Sequence, residues 1–341
     1  MNTLVTGATG QDGSYLLEHL LEQGHSVYAG IRHSSVVTTP RIEHLRNHPN
    51  LKLLDLDMQD SISIYNALRM SDPQQIFNLA AQSHVKVSYS IPEYTGNANA
   101  LGTLRILDLI QNSSLKDQVK FYQASTSELF GPDSTAPQDE NTALHPRSPY
   151  GISKLYAYWM ARHHREAYGM FVSNGILFNH ESPRRPHNFV TRKISSSVAR
   201  IVLGKQSQIR LGDLNALRDW GHSRDYVKAM GLILNHKIPD DFVISSGTSH
   251  SVREFTTLAF EYAGINIAWE GEGIDEAGLD KSTGKKLVVI DPLYFRPGKE
   301  AILRGDSTKA RNLLGWSPET SFEELVKEMV ENDMRIESSD A

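Results

Sequence analysis

Short apolar runs alternate with longer amphipathic stretches through the first half of the chain. The first seven residues form a short apolar strand, and leucines recur at helical spacing in SYLLEHLLEQG (14–24). Further strands are predicted at residues 25–31, 51–56, 75–79, 119–125 and 171–177, with helices at 62–70, at 94–111 and from Tyr150 onwards. This β-α-β alternation predicts an α/β, Rossmann-type fold: a doubly wound parallel sheet with ligands at the carboxyl ends of the strands.

The second half of the chain changes character. The segment NHESPRRPHNFVTRK (179–193) is polar, basic and interrupted by prolines, which predicts a lining for a ligand more than a core. The segment GEGIDEAGLDKSTGKK (271–286) is rich in glycine and charge, and predicts a mobile surface loop. Helices at about 251–263, 306–314 and 321–335 complete a smaller, mixed α/β C-terminal region.

The amino-acid composition limits the cellular compartments and the binding partners that we expect for this protein. The 341 residues carry a net charge of -5, which gives no sign of a surface for nucleic acid or anionic membranes. Without cysteine the chain has no disulfide and no thiolate metal site, which fits a reducing compartment, and we assign no metal. Apolar runs fall short of the roughly 18 residues of a membrane span, and Met1 opens no signal-like segment. We therefore expect a cytoplasmic protein that binds neither nucleic acid nor membrane.

A glycine-rich turn follows the first strand, with the sequence GATGQDG (7–13). Gly7 permits a tight turn, Gly10 lets a pyrophosphate approach the backbone, and Gly13 lets the helix pack close to the sheet. The positive end of that helix then faces the phosphates. The spacing is GxxGxxG, which is weak alone, but its place after an N-terminal strand predicts a dinucleotide site.

The residues after the next three strands bear on the cofactor. NAD sites usually place an acid after the second strand, whereas a 2′-phosphate needs cations. Here RHSS (32–35) offers a cation and hydroxyls, which favours NADP; a solvated loop arginine is the alternative. Asp57 follows the third strand, where it could touch an adenine. Small residues such as Ala80 and Ala81 follow the fourth strand and let a cofactor lie against the sheet.

Four groups with acid–base chemistry occur between Ser125 and Lys154. Thr126 and Glu128 point to the same side if the extended geometry of the strand persists, and Tyr150 and Lys154 stack on one helix face. A phenol titrates near pH 10, and Lys154 with a cationic ring nearby would favour the phenolate. Tyr150 could then act as a base towards an alcohol whose oxygen Thr126 shares. Taken alone, YxxxK is equally typical of a surface helix.

Cations downstream predict a diphosphate site, because charge-assisted bonds to phosphate are strong. They are His180, Arg184, Arg185, Arg192 and Lys193, followed by the isolated Arg218 and Arg296. A basic surface loop is the alternative for the first group.

Several motifs resemble a known family. GATGQDG, STSE and YGISK are similar to the extended short-chain dehydrogenase/reductases that act on nucleotide sugars. Longer stretches, including KFYQASTSELFG, PRSPYGISKLYAYW, NGILFNHESPRR and RDWGHSRDYVKAM, resemble the GDP-mannose 4,6-dehydratase family from residue 2 to about 335. The resemblance implies an NADP-dependent lyase with a GDP-sugar substrate that forms a homodimer or homotetramer. Residues 1–178, with a return at about 212–246, would bind NADP, and 179–211 and 247–341 the nucleotide sugar.

The resemblance also implies a reaction. A hydride passes from sugar C4 to NADP while Tyr150, helped by Thr126 and Lys154, removes the hydroxyl proton. Glu128 takes the C5 proton, water leaves from C6, and the hydride returns to C6. Ser127 stands where glucose-nucleotide dehydratases carry Asp, which favours the mannose branch. Alternatives are the 4,6-dehydratase of another GDP-sugar such as a GDP-mannoheptose, a nucleotide-sugar epimerase or reductase, and a silent NADP-binding regulator.

By motif position the resemblance assigns three sets of residues. The catalytic set is Thr126, Glu128, Tyr150 and Lys154. The cofactor set is Gly7, Thr9, Gly10, Gln11, Asp12, Gly13, Arg32, Ser35, Asp57, Met58, Leu79, Ala80, Ala81, Ser83, Tyr94, Lys154, His180 and Arg185. The substrate set is Ser83, Asn179, Val190, Lys193, Arg218, Arg253 and Arg296. The chain departs from the family pattern at His33, Pro186 and Lys299, where an arginine, a glycine and an acid are usual.

Overall fold

The computed structural model describes residues 1–32, 39–294 and 303–339. Its strands are β1 (Asn2–Thr6), β2 (Ser26–Ile31), β3 (Leu51–Asp55), β4 (Gln75–Asn78), β5 (Lys120–Ala124), β6 (Phe171–Leu177), β7 (Asn179–Glu181), β8 (Ile209–Leu211), β9 (Leu217–His222), β10 (Asp241–Ile244), β11 (Ser249–Ser251), β12 (Ile267–Glu270), β13 (Ala277–Asp280) and β14 (Lys286–Ile290). Its helices are α1 (Gln11–Glu22), α2 (Ser61–Ser71), α3 (Val85–Ser90), α4 (Pro92–Gly96), α5 (Gly102–Gln111), α6 (Pro149–Tyr168), α7 (Val190–Val202), α8 (Ser223–Asn235), α9 (Val252–Tyr262), α10 (Thr308–Leu314) and α11 (Phe322–Ser339). A π-helical stretch, Asn97–Leu101, joins α4 to α5.

Seven strands form one parallel sheet in the order β10-β6-β5-β4-β1-β2-β3. Apolar residues of α1 and α8 share a buried core with one face of this sheet, and those of α2 and α5 share a core with the other. Since both faces are covered, the inner strands are buried along nearly their whole length. The predicted Rossmann-type, doubly wound fold is confirmed.

A second core gathers the C-terminal elements. β12, β13, β14 and β8 form a mixed four-stranded sheet, and apolar residues of α7, α9 and α11 pack together with it. Three further strands form a small sheet in the order β11-β9-β7. Each of them lies where the chain passes between the elements of the large sheet and those of the second core. The expected smaller α/β region is therefore present, whereas the exact ranges of the two binding regions stay a prediction. β10 returns from the second half of the chain to pair with β6 in the large sheet.

One segment differs from its prediction. β13 lies within 271–286, a segment that we expected to be a mobile loop, and pairs with β12 on one side and β14 on the other. The glycine within it serves packing: a Cβ added to Gly278 would lie 3.0 Å from the Val288 side chain. The basic segment 179–193 is also less irregular than expected, since β7 opens it and α7 begins at Val190.

Candidate active site

The turn after β1 forms part of a cavity wall. Gly7 has a φ of 68°, in the left-handed region that glycine adopts readily. A Cβ added to Gly13 would lie 2.3 Å from the Gly7 carbonyl oxygen, and one added to Gly7 would lie 2.8 Å from the Ala80 nitrogen. Thr6 Oγ1 accepts the backbone N–H groups of Leu79 and Ala80 at 3.1 and 3.0 Å, which fixes the end of β4 beside this turn. The first turn of α1, whose N–H groups have no partner within the helix, thus approaches the sheet edge closely.

The cavity has a volume of about 610 Å³ and follows the carboxyl ends of β1, β4, β5 and β6. Eighteen of the residues predicted for the site line it: Gly7, Thr9, Gly10, Gln11, Asp12, Gly13, Leu79, Ala81, Ser83, Thr126, Glu128, Tyr150, Lys154, Asn179, His180, Arg185, Val190 and Arg218. Other predicted residues are not part of its wall: Arg32, Asp57, Met58, Ala80, Tyr94, Lys193 and Arg253. Ser35 and Arg296 lie outside the described residues, as do His33 and Lys299.

Local sequence explains how the catalytic candidates meet. β5 ends at Ala124, and a 3-10 turn over Ser127–Leu129 follows, so that the extended geometry we assumed for Glu128 does not persist. Thr126 begins that turn, because its Oγ1 accepts the Glu128 N–H at 3.2 Å. The turn thus directs a half-buried Glu128 into the cavity beside Thr126.

The helix that carries the phenol and the ammonium starts where the sequence predicts. Ser148 Oγ accepts the Gly151 N–H at 3.0 Å, and Pro149 occupies the first helical position of α6. Tyr150 and Lys154 are both buried in the cavity wall. Lys154 Nζ donates to the Ala124 carbonyl at 2.8 Å, which ties α6 to the end of β5.

Burial controls the ionisation of both groups. It raises the pKa of Tyr150 to about 12; a hydrogen bond with Thr126 opposes this rise, and the charge of Glu128 adds to it. Burial also lowers the pKa of Lys154 to about 8. We expected Lys154 to lower the pKa of the phenol, but burial is the larger effect. The site therefore holds Tyr150 neutral until further positive charge enters it.

An ion pair stands beside the glycine turn. Nε2 of His180 lies 2.8 Å from Asp12 Oδ2, and its Nδ1 donates to the Phe178 carbonyl at 2.7 Å. Burial alone would lower the pKa of His180, but the charge of Asp12 and the hydrogen bonds with Asp12 and the Phe178 carbonyl together outweigh it, and the pKa rises. Burial would likewise raise the pKa of Asp12, yet His180 holds it below its ordinary value. The pair joins the start of α1 to β7 across the cavity.

The predicted substrate residues divide into two groups. Asn179, Val190 and Arg218 line the cavity. Lys193 Nζ instead donates to the Arg210 carbonyl at 2.6 Å, and the guanidinium of Arg253 pairs with Glu276. Their charges are thus engaged by the protein itself.

The residues predicted to contact the adenosine part of the cofactor form hydrogen bonds within the protein itself. Arg32 Nη1 donates to the Tyr94 hydroxyl at 2.5 Å, which brings two of the predicted cofactor residues together outside the cavity wall. Asp57 Oδ1 accepts the Gln59 N–H at 2.9 Å and so shapes the turn after β3.

Sequence reasoning missed part of the wall. Arg41 donates to the Thr9 carbonyl at 3.3 Å, Lys86 approaches from α3, and Phe189 lies below the guanidinium of Arg185 at 3.7 Å. Arg41 lies on a connection and Lys86 on the short helix α3, where no motif marks them, and Phe189 lies in the segment 179–193 that was predicted to line a ligand, although it was not singled out.

The chain matches known proteins over nearly its whole length. The family model described as GDP-mannose 4,6 dehydratase matches residues 4–329. The chain is 52% identical over 339 residues to the human GDP-mannose 4,6 dehydratase, covering 98% of this chain and 91% of that one. It is 51% identical over 336 residues to the GDP-mannose 4,6-dehydratase of Sinorhizobium fredii (strain HH103), covering 97% and 96%. Among solved structures, a dTDP-glucose 4,6-dehydratase from Streptomyces venezuelae with NAD and TYD bound superimposes with a TM-score of 0.83 at 21% identity, covering 99% and 98%.

Proposed function

The chain belongs to the GDP-mannose 4,6-dehydratase family, and from that premise we propose that it converts GDP-mannose to GDP-4-keto-6-deoxymannose. One observation carries the proposal: Thr126, Glu128, Tyr150 and Lys154 line the same cavity as the glycine turn after β1. The family match, over residues 4–329, spans every residue of that wall. Glu128 distinguishes a dehydratase from a C4 epimerase, because only elimination across C5 and C6 needs a base for the C5 proton.

The side chains divide the chemistry. Tyr150 removes the proton of the 4-hydroxyl, and Thr126, which already hydrogen-bonds with the phenol, shares that oxygen. Lys154 supplies a buried positive charge at the same helix face. Once C4 is a ketone, Glu128 takes the acidified C5 proton and gives a proton to the hydroxyl that leaves C6 as water.

A nicotinamide cofactor fits the glycine turn, since a Cβ at Gly7 or Gly13 would close the space that the turn leaves beside the sheet. A cofactor held there would supply the hydride chemistry, as acceptor from C4 and donor to C6, with no net oxidation, and Tyr150 would return its proton to C5 as the hydride reaches C6. We assign it as NADP because Arg32, with Ser35, follows β2 where a 2′-phosphate would need a cation. The Tyr94 hydroxyl bond orients this guanidinium.

The GDP-sugar would lie along the opposite wall. Arg218 and Asn179 supply polar groups there. Arg296, which the resemblance assigns to the same ligand, lies outside the described residues. Lys86 and Lys193 flank one aromatic ring, with their Nζ atoms 5.0 and 4.3 Å from the Tyr294 ring centroid. Lys193 therefore lies close to the cavity edge that Lys86 forms, although its ammonium already donates to the Arg210 carbonyl, and its role towards the nucleotide stays a prediction from the resemblance.

We further propose that the protein forms a homodimer or homotetramer. An apolar stripe on α6 is exposed, with Ile152, Tyr156 and Trp159 each at least 40% accessible and one or two turns apart. Leu101 is exposed to 43% in the segment that packs against α6.

No described helix has the length and apolarity to cross a membrane. A cytoplasmic location stays a prediction from the sequence.

Product formation from four nucleotide sugars tests the proposal. The purified protein is incubated with NADP and one sugar at a time: GDP-mannose, a GDP-mannoheptose, UDP-glucose or dTDP-glucose. The amount of 4-keto product is then measured. We expect product from GDP-mannose and none from the UDP- and dTDP-sugars. Tyr150→Phe, which keeps the ring, is the matched inactive control. Faster turnover of the heptose would change the assigned substrate, and equal turnover of UDP-glucose would refute the assignment to GDP-sugars.

A further inference from the structure

We propose that Asp333, on α11 and outside the cavity, positions Arg185 for a pyrophosphate-bearing ligand by acting through Arg192. The inference rests on the proposed function, because that function places a dinucleotide and a nucleotide sugar in this cavity. Both ligands carry a pyrophosphate, and Arg185 lies on the wall between the glycine turn and α7.

Asp333 is buried against α7. It is 1% exposed, its Oδ1 lies 2.6 Å from Arg192 Nη2, and its Oδ2 accepts the Ser195 hydroxyl at 2.6 Å. Arg192 is itself 6% exposed. A buried carboxylate and guanidinium in this arrangement fix each other's direction, because neither charge tolerates loss of its partner.

Arg192 passes that constraint to the loop before α7. Its Nη1 donates to the Pro183 carbonyl and, at 3.4 Å, to the Arg185 carbonyl. One nitrogen of the guanidinium thus faces α11 while the other holds the loop backbone. The planar fork of arginine allows both contacts at once, whereas the single ammonium of lysine cannot reproduce them.

The held loop presents Arg185 to the cavity. Its guanidinium lies 3.7 Å from the ring centroid of Phe189, and its Nε lies 3.0 Å from Glu181 Oε2. The positive charge of Arg185 also acts on the candidate catalytic groups, because it is one of the effects that lower the pKa values of Asp12 and Tyr150. Neither Arg192 nor Asp333 lines this cavity, so their effect on a ligand must pass through the loop.

Two variants test the coupling. Asp333→Asn removes the charge that holds Arg192, and Arg192→Lys keeps a cation opposite Asp333 but loses the fork. The holoenzyme variants are checked by thermal unfolding, and NADPH and GDP are titrated separately by calorimetry. We expect either change to weaken at least one of the two ligands by about tenfold to a hundredfold, the worth of one charge-assisted hydrogen bond. The KM of the matching substrate should rise while kcat stays close to that of the parent.

A matched control and a double-mutant cycle separate positioning from general stability. Ser195→Ala removes a second contact of Asp333 and a 3.3 Å bond to the Arg192 carbonyl, but it leaves the Arg192 guanidinium with its partners in Asp333 and the loop, so both affinities should stay at the parent value. In an Arg185→Ala background, Asp333→Asn should cause no further loss. An undiminished loss in that background, an equal loss in Ser195→Ala, or parent affinity for both ligands in Arg192→Lys would overturn the inference. If the parent forms no product from GDP-mannose, the proposed function fails, but the titrations still decide the role of Asp333.

Discussion

Replacement of Gly13 by alanine tests whether the close approach of α1 to the sheet creates the cofactor site. An added Cβ would lie 2.3 Å from the Gly7 carbonyl oxygen, whereas ordinary contacts begin at 3.4 Å, so the atoms must separate by 3.4 − 2.3 = 1.1 Å. Backbone atoms of Ala8 lie 2.8 Å from the same point and prevent a sideways escape. The first turn of α1 must therefore move outwards by about an ångström.

The expected loss falls on binding more than on folding. Overpacking costs about 1–3 kcal/mol, and alanine regains about 1 kcal/mol of helix propensity over glycine, so the free energy of unfolding should fall by at most about 2 kcal/mol. A displacement of about 1 Å in a positioning element can lower a reaction rate about a hundredfold. We expect Gly13→Ala to lower the affinity for NADPH by a factor of the same order.

Gly96→Ala is the matched control. Gly96 is also helical, with a φ of -62°, and a Cβ there meets nothing within 4 Å. Its NADPH affinity should equal that of the parent, and its free energy of unfolding should rise by up to about 1 kcal/mol. Urea denaturation and NADPH titration measure the two quantities. Parent-like NADPH affinity in a folded Gly13→Ala protein would refute the argument from close approach.

Further predictions concern the reacting groups and the cofactor. Glu128→Gln should abolish water loss while reduction of NADP by GDP-mannose survives in a single turnover; 6-deoxy product at the parent rate would contradict the role given to Glu128. Arg32→Ala should raise the KM for NADP more than that for NAD, and equal losses would contradict the 2′-phosphate assignment. Thr126→Val removes a bond that lowers the pKa of Tyr150. The plateau of kcat/KM should therefore move to higher pH, and the activity at neutral pH should fall about tenfold for each unit by which the pKa of Tyr150 rises. An unchanged pH profile would exclude Thr126 from proton transfer.

The sequence predicts this site best where the chemistry is local. Tyr150 and Lys154 share a helix face by spacing alone, and GATGQDG defines its own turn. Contacts between remote segments could not be inferred from the sequence. The sequence gives no partner for Arg253, but the fold pairs its guanidinium with Glu276, just before β13. Arg41 was overlooked for the same reason, since its bond to Thr9 spans a connection with no regular pattern.

The error over β13 has a different physical origin. Glycine and charge usually mark turns, yet Gly278 is there because Val288 leaves no room for a Cβ. A small residue chosen by packing and one chosen by backbone freedom look identical in a sequence. Only the neighbouring strand distinguishes them.

The buried ammonium of Lys154 sets activity against stability. Its pKa of about 8, against 10.5 for an ordinary lysine, means that the folded protein carries this charge at a penalty below pH 8. The difference of about 2.5 units corresponds to roughly 3 kcal/mol, which is relieved as the pH rises from 8 to 10.5. Lys154→Met should therefore give a more stable protein at neutral pH that has lost its catalysis, as urea denaturation and turnover assays would show. The charge that the proposed catalysis needs at this position is thus one that lowers the free energy of unfolding.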